Sequence, residues 1–198
     1  MMERKVYILL TNTGSFLTKL IKLYTKKPYN HASIAFDYEL SEVYSFGRKT
    51  ARNPFIGGFV KEDVLTGLFT HADCAIYSFT VTEDQLRKMY QYIEAIEARK
   101  KQYRYNFLGL IGVMFNTPID RKKAFFCSQF VASLLKDCDT LHFDKPLSLI
   151  APYDLQQVPN FQFEYEGKLR DYPFKNKGAG HHPDTAFRPF QWGNLLGR

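Results

Sequence analysis

Cys127 and His31 are the two residues of this chain whose types and settings suit nucleophilic chemistry. A cysteine attacks as thiolate, and an imidazole within reach can take its proton and later return it to a leaving group. Cys127 stands where a loop carrying Arg121, Lys122 and Lys123 enters the run FFCSQFVASLL, in which Phe130, Val131, Leu134 and Leu135 mark one face of a helix. A sulfur there would face backbone N–H groups and the positive end of the helix dipole, both of which favour thiolate. Behind Phe125 and Phe126 it equally suits a buried small hydrophobe, as most free cysteines are. His31 opens a strand directly after Pro28-Tyr29-Asn30 and shares a face with Ser33 and Ala35, small residues that leave room for a helix start to pack close. A lone histidine reads more readily as a satisfied core or surface residue. His71 and His142 fall in turn-like settings. His181 and His182 lack nearby Cys or carboxylate partners, so they read as solvent-exposed rather than as a metal pair.

The elements that must position these residues follow from periodicity. Val6 to Thr11 is β-branched and apolar, ends at Asn12-Thr13-Gly14 and predicts a first strand. From Ser15, an N-cap residue, Phe16, Leu17, Leu20, Ile21 and Leu23 recur at helical spacing until Pro28 stops the pattern. The segment from His31 alternates, turns near Tyr38 to Ser41 and predicts a β-hairpin. A loop from Gly47 to Gly58, a short strand near Phe59 to Leu65 and a stronger one from Ala75 to Val81 come next. Thr82 followed by Glu83 and Asp84 is a helix start, and Leu86, Met89, Ile93 and Ile96 give that helix its apolar face. YRYNFLGLIGVMF predicts a buried irregular helix, Pro146 to Pro159 a loop, and Phe161 to Leu169 an edge strand.

Composition bounds the rest. The 198 residues, 45% hydrophobic and 16% aromatic, suffice for one core and exclude a disordered chain. We divide them into a single domain, residues 1–172, and a loop-rich tail, residues 173–198, where Gly, Pro, His and Asn take over. The apolar run Val6 to Leu10 is too short for a signal-peptide core. Phe107 to Phe115, broken by Gly109 and Gly112, falls far below the roughly 20 residues of a membrane-spanning helix. The expectation is a cytoplasmic protein with no membrane span. Three cysteines without a CxxC or zinc-ligand spacing predict neither disulfide nor structural zinc, and a reducing compartment leaves a thiol available. The net charge of +7 comes from short scattered groups rather than one basic tract, and no nucleic-acid module accompanies it, so nucleic acid is not expected as a partner.

SFLTKLIKLYTKKPYNHASIAF resembles the YiiX-like branch of the permuted NlpC-type, papain-like hydrolases, and FFCSQFVASLL resembles the Cys-Ser-x-Phe/Leu-Val helix of that family. The likeness spans roughly residues 5–170 and rests on two separated motifs, with the histidine strand ahead of the cysteine helix, which is the permuted order. It implies an α+β fold of permuted papain-like type, an antiparallel sheet packed against the cysteine helix. It further implies an amidase or peptidase with Cys127 as nucleophile and His31 as base, no metal or organic cofactor, and a short peptide or acylated small molecule as substrate. The third group of such a site comes from the strand after the histidine. Aligning Val43-Tyr44-Ser45 with the family pattern selects Ser45, while Glu42 offers better chemistry nearer the turn, and hairpin register decides between them. Tyr29 and Tyr105, with Tyr103, are candidates for lining the cleft or for ordinary packing. An acyltransferase like the lecithin retinol acyltransferase branch, or a catalytically weak binding protein of the same fold, remains an alternative.

Overall fold

The computed structural model describes residues 3–13, 27–48 and 57–174. The helix expected from Ser15, most of the loop before Gly58, His181 and His182, and nearly all of the tail lie outside the described residues.

Six antiparallel strands form the main sheet: β1 (Glu3–Asn12), β2 (His31–Ala35), β3 (Val43–Arg48), β4 (Gly57–Glu62), β5 (Asp73–Thr82) and β8 (Gln162–Lys168). Their spatial order is β4-β3-β2-β1-β5-β8. The fold is therefore mixed α+β. In β1, between β2 and β5, Val6 to Thr11 are all buried, because side chains on both faces meet packed layers. The phase of its alternation decides which layer each residue enters. Val6, Ile8 and Leu10 join Ala32, Ile34, Phe46 and Phe59 beneath the helices, whereas Tyr7 and Leu9 join Val43, Val64, Leu169 and Tyr172 on the opposite face.

Two helices cover the first face. Helix α1 (Glu83–Glu97) begins in a capping box: the Gln85 N–H donates to Thr82 Oγ1 at 3.2 Å and the Thr82 N–H to Gln85 Oε1 at 3.0 Å. It buries Met89, Ile93 and Ile96. Beyond it, Arg104–Tyr105 (β6) pairs in parallel with Ala124–Phe125 (β7), and between them runs α2 (Phe107–Met114). Helix α3 (Cys127–Asp137) lies across β2 and β3 and has every residue from Cys127 to Leu135 buried. Its Phe130 ring is centred 5.1 Å from Phe46 and 5.8 Å from Phe59, and removing one such ring from water contributes about 3 kcal/mol. This aromatic contact fixes α3 on the sheet and hence where its first residue, Cys127, comes to rest.

Three expectations need correction. The fourth strand runs from Gly57 to Glu62 rather than Phe59 to Leu65, because Asp63 accepts from the Leu65 N–H and the Thr66 hydroxyl and turns the chain there. Within the Pro146 to Pro159 segment a short helix α4 (Pro152–Gln156) forms, with Pro152 at its first position, where the missing N–H costs nothing. Helix α2 is regular and sits at the surface: only Gly109, Leu110 and Gly112 are buried, and Leu108 and Phe115 are exposed.

Candidate active site

The hairpin β2–β3 has the register Ile34 opposite Tyr44 and Ala35 opposite Val43, with the turn held by the Asp37 carboxylate accepting from the Ser41 and Glu42 N–H groups. That register places Glu42 and Ser45 on opposite faces of the sheet. Glu42 accepts from the Tyr90 hydroxyl at 2.9 Å and lies 4.0 Å from Lys61, turned away from His31. Ser45 faces the histidine side, yet its hydroxyl donates at 2.6 Å to another carboxylate, Glu62 at the end of β4.

Glu62 is the residue that the sequence reading missed. Its side chain runs back along the sheet, so that Oε1 meets His31 Nε2 at 2.7 Å while Oε2 accepts from Ser33 Oγ at 2.5 Å. The room for it comes from Gly47, where an added Cβ would lie 3.2 Å from Ser45 Oγ and 3.5 Å from Glu62 Oε1. The space over Ser33 is thus filled by a carboxylate and that over Ala35 by an apolar cluster, and the cysteine helix packs on the other face against Ala32 and Ile34. A signal was present in the sequence. Within GGFVKEDV, Glu62 alternates in phase with Val60 and Val64, which puts a charge on the apolar side of a strand.

Cys127 meets His31 where α3 begins. The thiol is hydrogen-bonded to the imidazole, and the backbone N–H groups of Ala32 and Ser128 point at the sulfur. Since Nε2 is taken by Glu62, Nδ1 is the ring nitrogen that faces the sulfur. All three groups are shielded, with the Cys127 residue 4% exposed and the side chains of His31 and Glu62 12% and 7% exposed.

Burial opposes charge on each of the three, and their mutual contacts outweigh it. Burial pulls the His31 pKa down, but the Glu62 carboxylate, the Cys127 sulfur and the hydrogen bonds to both raise it to about 10. Burial likewise pushes the Cys127 thiol up, while His31 and the N–H groups of Ala32 and Ser128 bring it below the ordinary thiol range. Glu62, despite burial, is held low by His31 and by the hydroxyls of Ser33 and Ser45. The three shifts all favour thiolate, imidazolium and carboxylate in a row. Arg121, Lys122 and Lys123, on the loop that leads into α3, are exposed at the surface.

A pH dependence follows from these directions. The raised His31 contributes stability that is complete below about pH 6.5 and is lost as pH rises toward 10. The lowered thiol contributes stability that is complete above its unfolded pKa, near 8.5, and is lost as pH falls. Between these limits the His31 contribution falls as pH rises and the Cys127 contribution climbs, so the two slopes oppose each other. Urea midpoints are expected to vary less with pH between about pH 6.5 and 8.5 than either group alone would make them. Cys127→Ala removes one side of the balance and is expected to lose stability steadily as pH rises through that window. Parallel midpoint curves for the two proteins would contradict the charge assignment.

A cleft of about 170 Å³ opens on the sulfur, walled by Tyr29 and Asn30 on one side, Leu110 and Val113 of α2 on another, and Ala151 to Asp154 at the start of α4. Tyr29 lines it and anchors its own hydroxyl on Glu166 and the Cys74 carbonyl. Tyr105 does not line it. It packs against Gly57, where an added Cβ would come within 2.9 Å of the tyrosine Cβ, and Tyr103 stacks on Phe125.

An α+β fold with a six-stranded antiparallel sheet thus carries a buried cysteine–histidine–carboxylate relay beside a cleft. Comparison with known proteins gives no matching protein-family model, curated protein or solved structure. Among the described residues no helix is long and apolar enough to cross a membrane, and no group of three or more His, Cys, Asp or Glu is placed to hold a metal ion.

Proposed function

We propose that this protein is a cysteine hydrolase of permuted papain-like architecture that cleaves an amide bond through a covalent acyl-thioenzyme. The observation that carries the reading is the buried relay Cys127–His31–Glu62 with the sulfur at a helix start and at the wall of a cleft. The Cys127 thiolate attacks the carbonyl carbon, a C–S bond forms, and the carbonyl electron pair moves onto oxygen. The Cys127 N–H, one of the four donors that a helix start leaves without an intrahelical partner, is the natural first group to hold that oxyanion. When the oxyanion collapses, the C–N bond breaks and the imidazolium gives its Nδ1 proton to the departing amine. The neutral imidazole then takes a proton from water, whose oxygen attacks the thioester, and the acid leaves as the thiolate and imidazolium are restored. Glu62 fixes the ring orientation and balances its charge throughout, a part given at the sequence level to Ser45 or Glu42.

A transferase reading, in which an acceptor other than water takes the acyl group in the manner of the lecithin retinol acyltransferase branch, draws on the apolar cleft walls Leu110, Val113 and Phe126. Both readings share the acyl-enzyme, so one experiment serves them. The protein is incubated with activated acyl esters and acyl-amide peptides, quenched in acid and weighed intact. A mass gain equal to one acyl group, mapped to Cys127 and lost in Cys127→Ala, is the expected result. Absence of any acyl adduct across short, long and aromatic acyl donors would leave the relay without this chemistry, and whether water or an added amine or alcohol discharges the adduct separates hydrolase from transferase.

A further inference from the structure

Helix α2 is out of keeping with the rest of the surface. Its sequence FLGLIGVM is apolar all the way round, which in a globular protein belongs to a buried helix, yet it sits at the boundary with water. Leu110 and Val113 turn into the cleft, but Leu108 is 49% exposed and Phe115, just past the last turn, 74% exposed. Two of the four large hydrophobic side chains exposed among the described residues therefore belong to this one helix and its cap. A single exposed leucine is ordinary; an exposed leucine on an eight-residue apolar helix together with an exposed phenylalanine at its C-cap leaves that helix an apolar surface.

Basic residues flank the helix on both sides in the chain. The Arg104 N–H donates to the Lys123 carbonyl at 2.9 Å, which brings Arg104, immediately before α2, beside the loop Arg121 to Lys123 that follows it. All four side chains are exposed, and among the described residues Arg104, Arg121 and Lys122 take part in no ion pair, while Lys123 reaches Gln102. The acidic residue on the same loop, Asp120, is engaged by the Gln129 amide at 3.3 Å. An apolar helix with cations at its border is the pattern of an interfacial element, whose side chains enter the acyl boundary while basic groups meet anionic headgroups.

We propose that α2 and the Arg121 to Lys123 loop seat this protein on an anionic lipid surface, with the mouth of the Cys127 cleft held at that surface. A second copy of the chain is the poorer occupant, because a two-fold contact through this patch would bring its four cations against their own symmetry mates. The docking does not depend on the chemistry of Cys127, so the two proposals fail separately.

The test is co-sedimentation of the full chain with vesicles of phosphatidylcholine alone and of phosphatidylcholine with roughly a third phosphatidylglycerol, near the anionic content of a bacterial or plasma membrane leaflet. Binding to the anionic vesicles only, weakening as salt is raised, is expected. Replacing Arg121, Lys122 and Lys123 by Gln is expected to lower the partition coefficient roughly a hundredfold. Leu108→Ser with Phe115→Ser is expected to reduce it at least tenfold, since both side chains are exposed and neither holds the core. Unchanged circular dichroism and urea midpoints establish that these variants are folded, and Cys127→Ala is expected to bind as the parent does. Equal partition into both vesicle types, no binding to either, or a solution dimer that dissociates in Leu108→Ser with Phe115→Ser would each overturn the proposal.

Discussion

Native protein treated with iodoacetamide at pH 6 is expected to be alkylated at Cys127 well ahead of Cys74 and Cys138. All three cysteines are free and buried, so exposure alone does not separate them. Their ionisation does. Burial pushes Cys74 up to about 12 and Cys138 up to about 11, helped by the carboxylates Asp73 and Asp137 respectively. Cys127 is buried too, but His31 and two backbone N–H groups outweigh the penalty and bring it below the ordinary thiol range. It also lines the cleft, which gives a small reagent a path to the sulfur. Between pH 6 and pH 8 the thiolate fraction of an ordinary cysteine rises about a hundredfold, and its alkylation rate with it. Cys127 is expected to respond less steeply over the same range. In His31→Ala the steep ordinary dependence should return. Equal labelling of the three cysteines, or a steep slope in the parent protein, would remove the ion pair on which the proposed chemistry depends.

The second large effect is expected at Glu62. Glu62→Ala takes the partner from a buried, charged imidazole and leaves the Ser33 and Ser45 hydroxyls without their acceptor. Breaking a buried pair from one side costs about 3–5 kcal/mol, and the order of losses in urea denaturation should follow what each residue touches. Glu62→Ala should lose most. Ser45→Ala removes one hydrogen bond to a charged acceptor and should lose about 1.5–3 kcal/mol. Glu42→Ala, whose carboxylate holds only the edge contacts with Tyr90 and Lys61, should lose less than either. The charge effect is separable from the structural one. Glu62→Gln keeps the shape and removes the charge, so the His31 pKa should fall, the thiol should rise, and alkylation at pH 6 should slow at least tenfold while the fold survives. A Glu42→Ala protein that slowed as much would move the third role to the residue nearer the turn.

Much of the fold was legible residue by residue. The alternation of His31 to Ala35, the capping pattern at Thr82 and the apolar face of Phe130, Val131, Leu134 and Leu135 each depend on neighbours within a few positions, and each produced its element. Helix α2 was misjudged for the same reason: apolar content predicts burial only where another layer is present to cover it, and periodicity says nothing of what lies opposite. Residue type alone left Tyr105 between lining the cleft and ordinary packing, and its contact with Gly57 at the β6–β7 pair decides for packing.

The candidate site divides along the same line. The sequence determined that a strand opening with His31 precedes a helix opening with Cys127, because these are matters of local alternation and chain order, whereas the side taken by Ser45 waited on the hairpin register. Only the tertiary structure decided what His31 pairs with. Glu62 reaches the ring because β4 pairs with β3, Gly47 leaves its carboxylate a path, and two serines from different strands converge on it. The charge state of Cys127 was likewise beyond local reading. The helix start suggested a thiolate and supplies the Ser128 N–H, but the largest stabilisation of the sulfur comes from a histidine, joined by a backbone N–H from β2, both delivered by the packing of α3 on the sheet. Desolvation and Coulomb interaction depend on distance in space, which sequence separation does not encode.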